Sequence, residues 1–306
     1  MKQAALLIGN GLNRCYEQKN PGISWYALLQ DFAKTNGVEF VPDNPFPLEF
    51  ECLVNAICEK SKASTEQKLF EVIITKAKSA IAEKVADLNP VPDSLHHRFM
   101  RLPISEILTT NYDYVLERAW SPNAEIRPDA EAKNNRNDKI PIETKYSLYR
   151  KASIDGKNFY HIHGEAKKAE TLCLGFKHYT RTAGKMSDLV RSQKFQEKLE
   201  KGEPLNSNTW LDLMFTHDIH IVGLALDSCE IDLWWMLTYR AFVYHMNTEI
   251  RKHITNTITL YDTSPNASKQ SLFGRLLVEY IPVTVVDNNF TAAYEGIADR
   301  ISDSLA

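Results

Sequence analysis

A chain of 306 residues with 43% hydrophobic and 25% charged residues can bury a large core, and its length fits either two domains or one α/β core with an insertion. A formal net charge of −3 supplies no overall attraction to phosphate polymers or anionic lipid, which argues against direct nucleic-acid binding. Five cysteines without a C-x-x-C pair argue against a disulfide framework and a four-thiolate zinc site, so reduced, mostly buried thiols are expected.

Ala4 to Ile8 is an apolar run stopped by glycine, as expected of a parallel strand buried on both faces. It is too short to span a membrane and runs into Gly9-Asn10-Gly11 rather than a cleavage site, so a cytoplasmic location and no membrane partner are expected. Ser24 is placed to cap a helix starting at Trp25. Prolines punctuate 42–47, and Leu48 to Lys84 has helix-like spacing, so 42–100 is read as a helical insertion within a single domain spanning 1–306. A second strand ends at Thr109-Thr110, and a helix resumes at Val115.

The polar, proline-containing stretch from Ser121 to Lys145, including Asn134 to Asp138, reads as an exposed excursion. Tyr146 to Tyr149 and Phe159 to Ile162 flank Asp155-Gly156 as a β-hairpin. Met186 to Gly202 and Trp210 to Phe215 read as helices, His220 to Leu224 as a buried strand, Ile258 to Tyr261 and Val283 to Val286 as late strands, and Ala292 to Ile301 as a closing helix. This alternation points to an α/β fold: a Rossmann-like, mostly parallel sheet with helices on both faces and helical insertions forming a smaller subdomain.

Four segments carry polar chemistry at strand ends. Gly9-Asn10-Gly11-Leu12-Asn13 could let backbone N–H groups approach a diphosphate, although Arg14 stands where a third glycine would, and a plain turn is the other reading. Asn111 and Asp113 follow the second strand, where a ligand crevice opens in such sheets, yet both residue types also cap turns. On a strand His161 and His163 share one face; a general base, a structural histidine and a metal ligand all remain open, though no third and fourth ligand spacing is evident. Asp227 or Asp232 reads as the cap of a helix through Trp234 and Trp235, whose rings suit the core or an oligomer contact.

Taken in order, Gly-Asn-Gly-Leu-Asn at 9–13, Thr-Thr-Asn-Tyr-Asp at 109–113, His-Ile-His-Gly at 161–164 and Val-Gly-Leu-Ala-Leu at 222–226 resemble the NAD-binding motifs of the sirtuin superfamily. The likeness is to its bacterial sirtuin-like branch of anti-phage defence. The resemblance implies Gly9, Gly11 and Asn13 near the diphosphate, with Asn13 where sirtuins commonly carry serine. It implies Asn111 at the nicotinamide ribose or attacking water and Asp113 at the carboxamide. It further implies His163 at the ribose hydroxyls, Gly223 and Ala225 beside the adenosine half, and Asp262 at its ribose. The scattered cysteines cannot supply the zinc ribbon of protein deacylases, the loop after Gly11 lacks their Pro-Asp-Phe-Arg type sequence, and Ala225 replaces a usual serine.

The resemblance therefore implies an NAD glycohydrolase, with NAD as substrate, Asn111 and His163 as catalytic pair, and no metal. Depletion of NAD would stop phage propagation, under the restraint of a homo-oligomer or of a partner such as a ring-forming translocase ATPase or another phage-sensing protein. The competing expectation is a catalytically silent sensor of NAD or ADP-ribose in a defence complex.

Overall fold

In the computed structural model, which describes residues 3–15, 24–61, 67–126 and 140–306, Ala4–Ile8 forms the first strand (β1), and all five of its residues are buried. The segment from Asn134 to Asp138 lies outside the described residues. After β1 come Gly11–Arg14 (α1), Trp25–Asn36 (α2), Phe46–Lys60 (α3), Gln67–Leu88 (α4) and Ser94–Met100 (α5). Glu106–Thr109 (β2) and Val115–Trp120 (α6) follow, then Ile142–Tyr149 (α7) and a hairpin of Ala152–Ile154 (β3) and Lys157–His161 (β4). Phe176–Val190 (α8), Gln193–Lys201 (α9) and Leu213–Thr216 (α10) lead to Asp218–Val222 (β5). The chain continues through Ile231–Met246 (α11), Thr248–His253 (α12), Ile258–Asp262 (β6), Ala267–Arg275 (α13), Glu279–Pro282 (β7) and Phe290–Leu305 (α14).

The seven strands form one sheet in the order β3-β4-β2-β1-β5-β6-β7, parallel except for the antiparallel β3–β4 pair. The alternation of β1 divides its side chains between two cores. Ala5 and Leu7 face a cluster with Met186, Trp210, Leu233 and Met236, and Leu6 and Ile8 face one with Phe99, Val115 and Ile297. The α/β architecture with helices on both faces therefore follows from burial on both sides of the central strands. A third cluster, including Leu29, Phe50, Leu53, Ile74 and Ala77, holds α2, α3 and α4 together and includes Tyr112, Leu172 and Leu174 from the loops beyond β2 and β4. Leu95, Phe99 and Met100 of α5 pack on the sheet instead, so the helical cluster ends before residue 100.

Four local expectations give way. Tyr146 to Tyr149 closes a helix, and the first hairpin strand starts only at Ala152. The helix expected over 186–202 is two helices, because the Ser192 side chain accepts the Phe195 N–H and starts α9 afresh. The last strand is Glu279–Pro282 rather than 283–286, since its pairing with β6 runs out at Asp262 opposite Pro282. The cysteines are free as expected, but only Cys173 is buried; Cys52 is exposed and the others are half-buried. Among the described residues no helix is long and apolar enough to cross a membrane.

Candidate functional site

The sheet turns back on itself at β1. The chain builds outward through β2 and β4 on one side, then returns to place β5 and β6 on the other. Such a switch point opens a crevice at the carboxyl ends of the strands, where loops leave in opposite directions. The register brings Ile8 level with Thr109 and Val222, and Thr109 level with His161. The motif residues just beyond these positions consequently share one edge.

After β1 the glycines permit a close approach of two backbones. Gly9 N–H donates to the Val222 carbonyl at 2.9 Å and Gly11 N–H to the Gly223 carbonyl at 2.8 Å. A Cβ on Gly9 would lie 2.5 Å from the Gly223 oxygen, and one on Gly11 2.5 Å from the Tyr294 hydroxyl. These two N–H groups therefore join the β1 and β5 loops. Asn13, 2% exposed, donates from Nδ2 to Asn10 Oδ1 at 3.0 Å and to Asp113 Oδ2 at 2.9 Å. Its Oδ1 accepts from His96 Nε2 at 2.9 Å, a partner 83 residues away that the sequence did not single out.

At the end of β2, Thr109 Oγ1 donates to the Ile8 carbonyl and accepts the Asn111 N–H at 3.0 Å, turning the chain off the strand. Asn111 is 1% exposed, and its Oδ1 has no hydrogen-bond partner among the described residues, while Nδ2 lies 3.5 Å from the Gly9 carbonyl. A buried polar atom left unmatched in this way is costly and suits a group that a ligand completes. Asp113 does both of the things its residue type allows. Oδ1 accepts the Val115 N–H at 2.9 Å as a turn-former, and Oδ2 reaches Asn13; burial pushes its carboxyl above the usual range.

Strand pairing stops at His161, and the two histidines part company there, correcting the shared-face expectation. His161 Nδ1 meets the Asn111 carbonyl and Nε2 meets Glu117 Oε1, both at 2.7 Å. Because both partners are acceptors, both ring nitrogens carry protons. Burial opposes that charge, but Glu117 outweighs it and raises the imidazole above its usual value. His163, 2% exposed, bonds from Nε2 to Asp232 Oδ2 at 3.1 Å, and its Nδ1 lies 3.7 Å from Glu230 Oε2. Gly164 makes the turn possible, with φ +93° and a Cβ position 2.3 Å from the Thr171 carbonyl oxygen. Beneath it Glu165 pairs with Arg150 at 2.7 Å and accepts from Tyr114 at 2.8 Å.

Glu230 and Asp232 come from the start of α11, in a segment the sequence offered only as a helix cap. Neither caps it through its side chain in the usual way: Glu230 stands at the N-cap without a side-chain bond, and Asp232 spends Oδ2 on His163. Trp234 stacks on Phe273 at 5.3 Å and Trp235 on Tyr239 at 5.0 Å, so both serve packing. The ligand atoms of His163, Glu230 and Asp232 lie within 4.8 Å of one another, near enough for a cation, but the direct His163–Asp232 bond already occupies one imidazole nitrogen. Beyond β5 and β6, Gly223 has φ +65°, Ala225 is exposed, and Asp262 accepts from Tyr280 at 2.8 Å and Lys269 at 3.1 Å.

The edge thus joins an amide with an unmatched oxygen, a carboxylate tied to an asparagine, and an imidazole between two carboxylates, all largely shut from water. Such groups can grip an amide-bearing ring and orient hydroxyls beside a base. The family model described as SIR2-like domain matches residues 105–211, a segment that contains Asn111, Asp113, His161 and His163. It leaves out the Gly9–Asn13 loop and the two carboxylates of α11. No curated protein matches the chain.

Proposed function

We propose that the chain, which is similar to the SIR2-like domain family over residues 105–211 and is tied by that likeness to NAD-related activity, hydrolyses NAD to nicotinamide and ADP-ribose. In this reaction the ribose C1′–N bond breaks with its electron pair passing to the pyridinium nitrogen. Water forms the new bond to C1′, and one proton is released. Charge builds on the ribose as nicotinamide departs, so fixed polar groups around the sugar and the carboxamide do most of the work.

The observation that carries this reading is the buried, unmatched Asn111 oxygen at the end of β2, beside the strand that delivers His163. Asn111 holds the ribose or the attacking water, Asp113 faces the carboxamide, and His163 takes a ribose hydroxyl proton. The β1 and β5 loops, with Gly9, Gly11, Asn13, Gly223 and Ala225, and Asp262 at the end of β6, receive the diphosphate and adenosine half. Asn111 and His163 are 1% and 2% exposed, so binding of the dinucleotide requires the site to open. In the cell such an activity fits NAD depletion in anti-phage defence, held in check by self-association or by a partner of the kind the resemblance implies.

Incubation of the purified chain with NAD, alone and with candidate partners, tests the proposal. Nicotinamide and ADP-ribose should appear in equal amounts. Saturable NAD binding without any nicotinamide release would favour a silent sensor instead.

A further inference from the structure

We propose that Asp232 positions His163 for proton transfer through Nδ1, and that Glu230 accepts the proton His163 takes up. This inference rests on the NAD-hydrolase reading for its chemistry, and on the geometry of α11 for its residues.

His163 Nε2 is 3.1 Å from Asp232 Oδ2, and a carboxylate can only accept, so Nε2 carries the hydrogen. The neutral imidazole then has its lone pair on Nδ1. That is the logic by which a buried acid fixes the tautomer and ring plane of a catalytic base. Asp232 is itself 1% exposed and is fixed on its other oxygen by the Leu233 N–H at 2.9 Å, so the ring is held from a rigid helix start. Nδ1 faces Glu230 Oε2 at 3.7 Å, too long for a hydrogen bond in this state, and that buried oxygen has no hydrogen-bond partner among the described residues. A proton moving from a ribose hydroxyl to Nδ1 leaves a ribose alkoxide and an imidazolium between two carboxylates. The imidazolium passes that proton to Glu230 Oε2, restoring the neutral ring with its Nε2 hydrogen still donated to Asp232, and the water that bonds to C1′ returns a proton to the alkoxide, so that one proton is released overall.

The groups around this cluster do not compete for the proton. Tyr179 of α8 packs edge-on against the His163 ring at 5.0 Å with Tyr112 and Cys173 near it, and the Asp227 carboxylate acts on Glu230 from the loop before α11. Burial raises the Tyr112 and Tyr179 phenols and the Cys173 thiol well above their usual values, so all three stay neutral. For His163 burial works against the charged form, but Asp232 and then Glu230 outweigh it and raise the imidazole. Burial pushes Glu230 up to about 7, against the pull of His163. Burial thus lifts Glu230 out of the ordinary carboxylate range toward that of an imidazole, which lowers the cost of exchanging a proton with His163.

A merely structural tie between α11 and the loop beyond β4 would leave protonation behaviour unmoved, so the test reads protonation directly. In the full chain labelled with ¹⁵N-histidine, and assigned with His163→Gln, the His163 ring should titrate above its ordinary value and appear as the Nε2–H tautomer when neutral. Asp232→Asn should lower that titration by about one unit or more and mix the tautomers. Glu230→Gln should lower it without changing the tautomer. With NAD, Asp232→Asn should cut kcat by about 10²-fold or more, with KM within about threefold, and move the acid limb of the rate profile to lower pH. Asp232→Glu should recover part of the loss. An unchanged His163 titration and tautomer in Asp232→Asn overturns the proposal, as does an unmoved acid limb. If the unaltered chain releases no nicotinamide, the hydrolase reading fails, and the tautomer still decides what Asp232 does.

Discussion

His161 donates from both ring nitrogens to acceptors that the protein itself supplies, whereas His163, two residues further on, is bonded through one nitrogen and turns the other toward an unmatched carboxylate oxygen. The first is a closed circuit: Glu117 and the Asn111 carbonyl use all it can offer, and in return it fixes the turn that carries Asn111. The second retains a nitrogen for an incoming group. Nearly equal burial, 2% in each case, gives no hint of this difference. What separates a structural histidine from a functional one here is the number of its nitrogens already spoken for.

Substitution sharpens that contrast most strongly. His163→Ala should abolish nicotinamide release, a loss on the order of 10²-fold or more for a positioned base, with a smaller loss of stability, because the buried Asp232 loses its imidazole partner but keeps the Leu233 N–H. His161→Ala should instead unfold the chain more easily, since it strands Glu117 in the interior at a cost of about 3–5 kcal/mol. Denaturant unfolding and NAD turnover, measured on both variants, check the pair; a stability loss confined to the His163 variant would reverse the two roles.

A smaller effect is expected at the hinge between the histidines and Glu165. Gly164→Ala places a Cβ against the Thr171 carbonyl in a left-handed backbone, and should cost more than about 1 kcal/mol in thermal or chemical unfolding. Turnover should fall with it, because the His163 loop shifts.

The pH dependence of stability gives the mildest test. His163 has a raised folded value, so its contribution is complete below the ordinary 6.5 and disappears as pH climbs through the higher value. Glu230 acts in the same direction: the folded state favours its neutral form, so stability declines between the ordinary 4.5 and about 7. Tm should therefore drop from about pH 5 to about pH 8, and drop less in a His163→Gln, Glu230→Gln double variant. Equal slopes in the two proteins would remove the cluster from the account.

Much of the framework is written locally. Ala4 to Ile8 has to be apolar throughout because both faces are covered, and the polar residues after Thr109 have to leave the sheet there. The glycines after β1 are also legible, although they serve a backbone-to-backbone approach that the motif alone does not reveal. The parts that could not be read depend on distant chain segments. His96 reaches Asn13 only once α5 lies against the sheet, and Glu230 and Asp232 look like ordinary acidic residues at a helix start until α11 docks beside the loop beyond β4. Alternation along His161-Ile162-His163 misleads because the strand ends one residue into the motif, and the β-branched run at 283–286 misleads because no neighbouring strand remains to pair with it.

The measurement that bears most directly on the central claim is the rate of nicotinamide release from NAD by the unaltered chain, Asn111→Ala and His163→Ala under identical conditions. The unaltered chain should release nicotinamide with equimolar ADP-ribose, and neither variant should release it above background, each still binding NAD and retaining its fold. Release by either variant at the rate of the unaltered chain would contradict the central claim.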